Sequence, residues 1–233
     1  MDVPEADEPH GSALAGAFFG GNDAAVAGSF EVMKAGMLAA AVLLGALARV
    51  AGADPVLVPV VNLTVKDDPS PPIDPHKRSF KFRAGTKLAA VHIALPAIGS
   101  AGDPTLWGAT LVLYNAAGTG ESESIDLPAT EWHVIGTPAN VKGYQFHDVT
   151  PADGPIVRLY VKPDKIFVSG GKDSWPYPLE VTPQQTLAVR LALGTGAEWC
   201  GAAPAKSPTT LYDTPAKFVG LKGSLAATCP PVP

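Results

Sequence analysis

The chain has little that titrates and little that can cross-link: 17 % of its 233 residues are charged and two are cysteine. Signatures of the common enzyme classes are missing. There is no Gly-x-Ser-x-Gly elbow, no His-Glu-x-x-His, no phosphate-cradling Gly-x4-Gly-Lys-Ser/Thr and no dinucleotide glycine fingerprint. Ser169-Gly-Gly-Lys172 spells Ser-x-x-Lys, but two glycines read as a turn, without the helix that would bring the lysine onto the hydroxyl. None of His76, His92, His133 and His147 forms His-x-His or His-x3-His, so a metal would have to be assembled across strands. Nor is positive charge in excess, since 17 Lys and Arg stand against 22 Asp and Glu. Such a composition carries no footprint for nucleic acid and no polybasic patch for an anionic membrane.

One uncharged run is present, Ala35 to Ala48, behind Met33-Lys34 and ahead of Arg49. With the small-x-small exit Ala51-Gly-Ala53 it has the layout of a secretory signal peptide over 33–53, a helical segment. At 1.5 Å per residue the run falls short of a bilayer core about 30 Å thick. An uncleaved anchor and a buried core helix are the alternatives. Residues 1–32 hold six acids and no Lys or Arg, the reverse of a signal's positive start. They read as an acidic leader or as a mis-assigned start, with translation beginning at Met33. The mature chain is then 54–233, with a net charge near −1. No cysteine directly follows the run for lipid attachment, so no membrane anchor is expected after processing. Localisation is predicted as secreted or periplasmic.

Twenty-two of the 24 prolines lie in 54–233, which argues against long helices. Between them the apolar residues alternate with period two, the mark of half-buried strands. Phe80 and Phe82, Val91 to Leu95, Trp107 to Leu113, Val157 to Val161 and Leu187 to Leu193 each show it. Lys162-Pro163-Asp164-Lys165 and Asn115 to Gly120 read as hairpin connections, and Ser169 to Ser174 as a further turn. The predicted class is all-β, a mainly antiparallel β-sandwich or barrel-like fold, with a candidate seam near 150–155.

Four groups are candidates for chemistry. Cys200 and Cys229 form a disulfide if the compartment is oxidising; a metal pair is the alternative, poor without a neighbouring histidine. His147 with Asp148, and Asp153 nearby, is the best acid/base set, because a carboxylate can orient an imidazole toward Ser122, Ser124 or a water. Asp67, Asp68 and Asp74 share one proline-rich loop that could hold calcium, or be a solvated turn. No other cofactor is implied. Trp175 and Tyr177 sit in the stiff loop Ser174-Trp-Pro-Tyr-Pro178, where two rings either bind a small molecule or glycan or plug the open end of the fold.

Gly99-Ser-Ala-Gly-Asp-Pro-Thr-Leu-Trp-Gly-Ala-Thr-Leu111, Leu127-Pro-Ala-Thr-Glu-Trp132, Lys142-Gly-Tyr-Gln-Phe146 and Cys229-Pro230 resemble segments of exported, β-rich hypothetical proteins of environmental bacteria. That group has no established activity, so the resemblance implies an intact exported domain and nothing about chemistry. The expectation is an exported β protein with a binding or structural role. The rival is a small secreted hydrolase of an ester, lactone or glycan, with calcium assisting.

Overall fold

The structure, a computed structural model, describes residues 54–67, 77–85, 92–116, 120–148, 154–172, 175–179 and 183–233. The leader and signal segment at 1–53 and most of the seam at 150–155 lie outside the described residues. In chain order the strands are β1 (Val56–Leu57), β2 (Val60–Lys66), β3 (Ser79–Gly85), β4 (Ala109–Asn115), β5 (Ser122–Leu127), β6 (Trp132–Thr137) and β7 (Asn140–His147). Then follow β8 (Ile156–Lys162), β9 (Lys165–Gly171), β10 (Thr186–Leu193), β11 (Ala197–Pro204), β12 (Asp213–Thr214) and β13 (Lys217–Val219). Two one-turn helices, α1 (Pro104–Trp107) and α2 (Thr209–Tyr212), interrupt them.

These strands make two sheets, ordered β1-β11-β10-β4-β5 and β12-β13-β2-β3-β9-β8-β7-β6. The short parallel pair β1–β11 apart, neighbours run antiparallel. Alternation decides which side chains go inside. Leu111, Leu113, Leu187, Val189 and Leu191 of the smaller sheet join Leu63, Phe80, Phe82, Leu159 and Val168 of the larger in a single core. The layers touch closely at Gly201, where a Cβ would stand 3.0 Å from the Phe82 ring. Pro163-Asp164 closes the β8–β9 hairpin, with Lys162 opposite Lys165 as the turn chemistry predicts. β7 and β8 pair across the candidate seam.

Several sequence expectations are corrected. Residues 92–97 belong to no strand, although Ile93 is fully buried. A register shift between Ile156 and Arg158 puts Ile156, not Val157, into the core. The stretch Ser169–Gly171 is not a turn but the end of β9, paired with β3. Cys200 lies inside β11 and is bonded, as expected, to Cys229 in the tail. That bond brings the tail over the outer surface of the smaller sheet. Ala226 packs there on Tyr114, Ala188 and Ala202, outward residues that would otherwise face water.

Burial pushes the phenols of Tyr114, Tyr144 and Tyr177 above their ordinary value of 10.0. At Tyr177 the carboxylates of Glu121, Asp213 and Glu123 add to the effect. A phenol that resists ionisation only when folded contributes stability that is fully present below its unfolded value and is lost as pH rises above it. Stability should therefore fall above about pH 10, with these tyrosines ionising together with unfolding. An alkaline ultraviolet titration in which all five tyrosines ionise while the far-ultraviolet dichroism stays native would contradict this.

Candidate functional site

The acid/base candidates do not converge. His147 ends β7 on the outward side, opposite Arg158 of β8 and half-buried. Asp148 is buried, and its backbone N–H donates to the Val157 carbonyl. Asp153 lies outside the described residues. Ser122 and Ser124 face outward from β5 in the other sheet, so both layers separate them from His147. Pairing either serine with that imidazole is thus corrected by the topology.

Asp67 is buried, and Arg78 Nε donates to its Oδ1 at 2.8 Å. A guanidinium on that carboxylate opposes the calcium reading. Asp68 and Asp74 lie outside the described residues, and among the described residues no three His, Cys, Asp or Glu side chains gather as a metal site. Trp175 and Tyr177, candidates either for ligand binding or for plugging the fold, are 3 % and 1 % exposed. Trp175 stacks on Phe80 of β3 with centroids 4.8 Å apart. Tyr177 donates to Gln184 Oε1 at 2.7 Å, which Asn115 Nδ2 also reaches at 3.0 Å. Both rings complete the core, the second of the two readings of that loop.

A different tryptophan stands at the surface. Trp107 is 66 % exposed and its neighbour Leu106 55 %. They do not hang on a loose loop. Asp103, fully buried, accepts from the Gly99 N–H at 2.7 Å, the Thr105 N–H at 3.0 Å and the Thr105 hydroxyl at 2.8 Å. It thereby caps α1, with Pro104 preset for the first helical position. The helix ends after one turn at Gly108, where φ is +68° and a Cβ would meet the Leu127 carbonyl at 2.7 Å. Two backbone bonds tie the segment to the β10–β11 hairpin: Thr195 N–H to Ala101 O and Gly194 N–H to Gly108 O. Tyr144, on the larger sheet, donates to Pro96 O at 2.8 Å.

Two concavities flank Gly194-Thr195. One, about 440 Å3, is lined by Leu106, Trp107, Thr110, Asp126 and Thr195 among others. The other, about 320 Å3, includes Asp54, His92, Glu198 and Trp199. Glu198 is engaged by Arg190 at 3.2 Å. The first therefore combines an indole, a carboxylate and threonine residues on a backbone held from three sides. Compared with family models, curated proteins and solved structures, the chain has no match in any of the three. The site's chemistry is accordingly read from its own residues.

Sequence reasoning missed Trp107 by extending the β4 alternation backwards through Gly108. The signal was in the sequence: Asp103-Pro104 is a helix start and Gly108 a helix stop, which together remove Trp107 from the strand.

Proposed function

We propose that the protein is an exported β-sandwich that works by binding, without catalysis of its own, and that the Trp107 concavity takes a small molecule or glycan. The observation that carries this is an indole two-thirds exposed on backbone fixed by a buried carboxylate. A large apolar ring left in water is unfavourable, yet the Asp103 cap, the Gly108 stop and the hairpin bonds hold it there. A rigid aromatic loses little entropy on meeting the apolar face of a sugar ring, and Asp126 and Thr110 stand by for its hydroxyls. Export is supported by the Cys200–Cys229 disulfide, which persists in oxidising compartments.

Screening the full chain against soluble oligosaccharides and small cyclic ligands tests the reading. Trp107→Ala should weaken the best ligand roughly tenfold, the effect of one lost ring contact, while leaving the melting temperature unchanged. Asp103→Ala should lower both affinity and melting temperature, because it unlocks the backbone beneath the ring. Equal affinity for wild type and Trp107→Ala would end the assignment of this concavity.

A further inference from the structure

Charge is sorted between the two sheets in a way that net composition conceals. The strands of the eight-stranded sheet contain one acid, Asp213, and it is buried and accepts from the Gln184 and Gln185 N–H groups. Its outward positions, alternating with the core residues, are rich in bases. Lys66 and Lys217 lie directly opposite each other on β2 and β13. In the next row Lys81 and Arg158 flank Ser169, two strand spacings apart, or about 10 Å. Arg83 adjoins Phe167 in the row after, and Lys162 and Lys165 close the face at the β8–β9 turn. The five-stranded sheet shows the opposite balance, with Glu123, Asp126 and Glu198 against Arg190 alone.

Like charges opposed across an antiparallel pair destabilise a sheet. Of the carboxylates beside them among the described residues, Asp67 is taken by Arg78 and Asp213 by backbone amides. Beside the Lys66–Lys217 pair the face runs into a concavity of about 620 Å3 that also carries Thr210 and Thr214. Lys206 and Lys217 stand 4.6 and 5.1 Å from the Tyr212 ring centroid at that end. An extended polyanion lying across the strands would neutralise this row of cations.

We propose that the outer face of the eight-stranded sheet binds an acidic polysaccharide, a sugar polymer bearing repeated carboxylates. Two observations favour this over the other polyanions. Tyr160 and Phe167, the aromatic pair of the face, stack on each other at 4.9 Å, and the Lys162 and Lys165 ammoniums sit over Tyr160. One face of each ring is thus taken by the other, and two ammoniums compete for Tyr160, which reduces the aromatic surface on which the bases of single-stranded nucleic acid would stack. An anionic bilayer would need apolar side chains to insert. None of the exposed large apolar residues among those described belongs to the strands of this sheet, and Leu211 is the one of them that lines the concavity at its end. What the face offers is spaced positive charge.

The test uses the full chain with polygalacturonate as probe, neutral dextran as control, and single-stranded DNA and anionic phospholipid vesicles as rivals. Polygalacturonate should be bound and dextran not, with affinity falling roughly tenfold or more between about 50 and about 200 mM salt as counterions are reabsorbed. Lys81→Gln/Arg158→Gln should weaken binding roughly tenfold at low salt with an unchanged melting temperature, whereas Lys222→Gln, outside the strands of the sheet, should change it less than about twofold. Equal retention of polygalacturonate and dextran would overturn the proposal, as would wild-type affinity in the double variant. Tighter binding of the DNA or the vesicles than of polygalacturonate would overturn it too.

Discussion

Trp175→Ala is expected to destabilise the protein by about 3–5 kcal/mol, the range for truncating a large buried aromatic. The ring is 3 % exposed and stacks nearly flat on Phe80, itself fully buried in β3. Its position follows from the chain just before it. The Lys172 N–H donates to Arg78 O and the Trp175 N–H to Lys172 O, which turns the segment back over the sheet after β9. Indole Nε1 has no hydrogen-bond partner among the described residues, so packing rather than a polar anchor holds the ring. Trp175→Phe should therefore cost less than half as much, since it keeps the stack and removes an unpaired donor. Urea unfolding of the two variants decides the matter. A cost below about 1 kcal/mol for Trp175→Ala would put this ring at the surface and restore it as a ligand candidate.

Removing the disulfide is the second large effect. Cys200 and Cys229 are 29 residues apart, and a loop of that length restricts the unfolded chain by about 3.5 kcal/mol at 25 °C. The double variant Cys200→Ser/Cys229→Ser should lose about that much. A specific signature should accompany the loss. The tail from Ala226 to Pro230 shields the outer surface of the smaller sheet, with the Tyr114 hydroxyl donating to Pro230 O at 2.7 Å and Arg190 Nε to Cys229 Sγ at 3.2 Å. With the tail released, burial raises the Tyr114 phenol less, so one fewer tyrosine should ionise together with unfolding than in the wild type. Identical unfolding midpoints with and without thiol reductant would show that the bond contributes nothing.

The core contact and the two binding surfaces can be separated by experiment. Trp175 variants should move stability, Trp107 variants the affinity for a compact ligand, and Lys81 and Arg158 variants the salt-dependent affinity for a polyanion. The two binding surfaces lie on different elements, so failure of one leaves the other standing.

Strand positions were legible because a pleated strand repeats every two residues, and the pattern survives in any sheet order. Phe80–Phe82 and Leu187–Leu193 are buried where alternation put them, and Pro163-Asp164 turns where proline presets the dihedral. Cysteine count, with the oxidising compartment that the sequence led us to expect, named the one disulfide. Where local and long-range demands diverged, the pattern misled. A register shift moved Ile156 inward in place of Val157, and a one-turn helix removed Trp107 from the strand that its spacing suggested. Which aromatic is buried and which exposed depended on what packs above it: Phe80 covers Trp175, whereas Trp107 is left 66 % exposed. The cationic face was invisible for the same reason. Its bases are scattered from Lys66 to Lys217 among enough acids to bring the sum near zero, and only strand order sets them side by side in a sheet whose strands hold no acid but the buried Asp213. Sequence determined the periodicity of each strand and the chemistry of each turn; tertiary pairing decided which residues share a surface, because adjacency across a sheet is a property of register and not of distance along the chain.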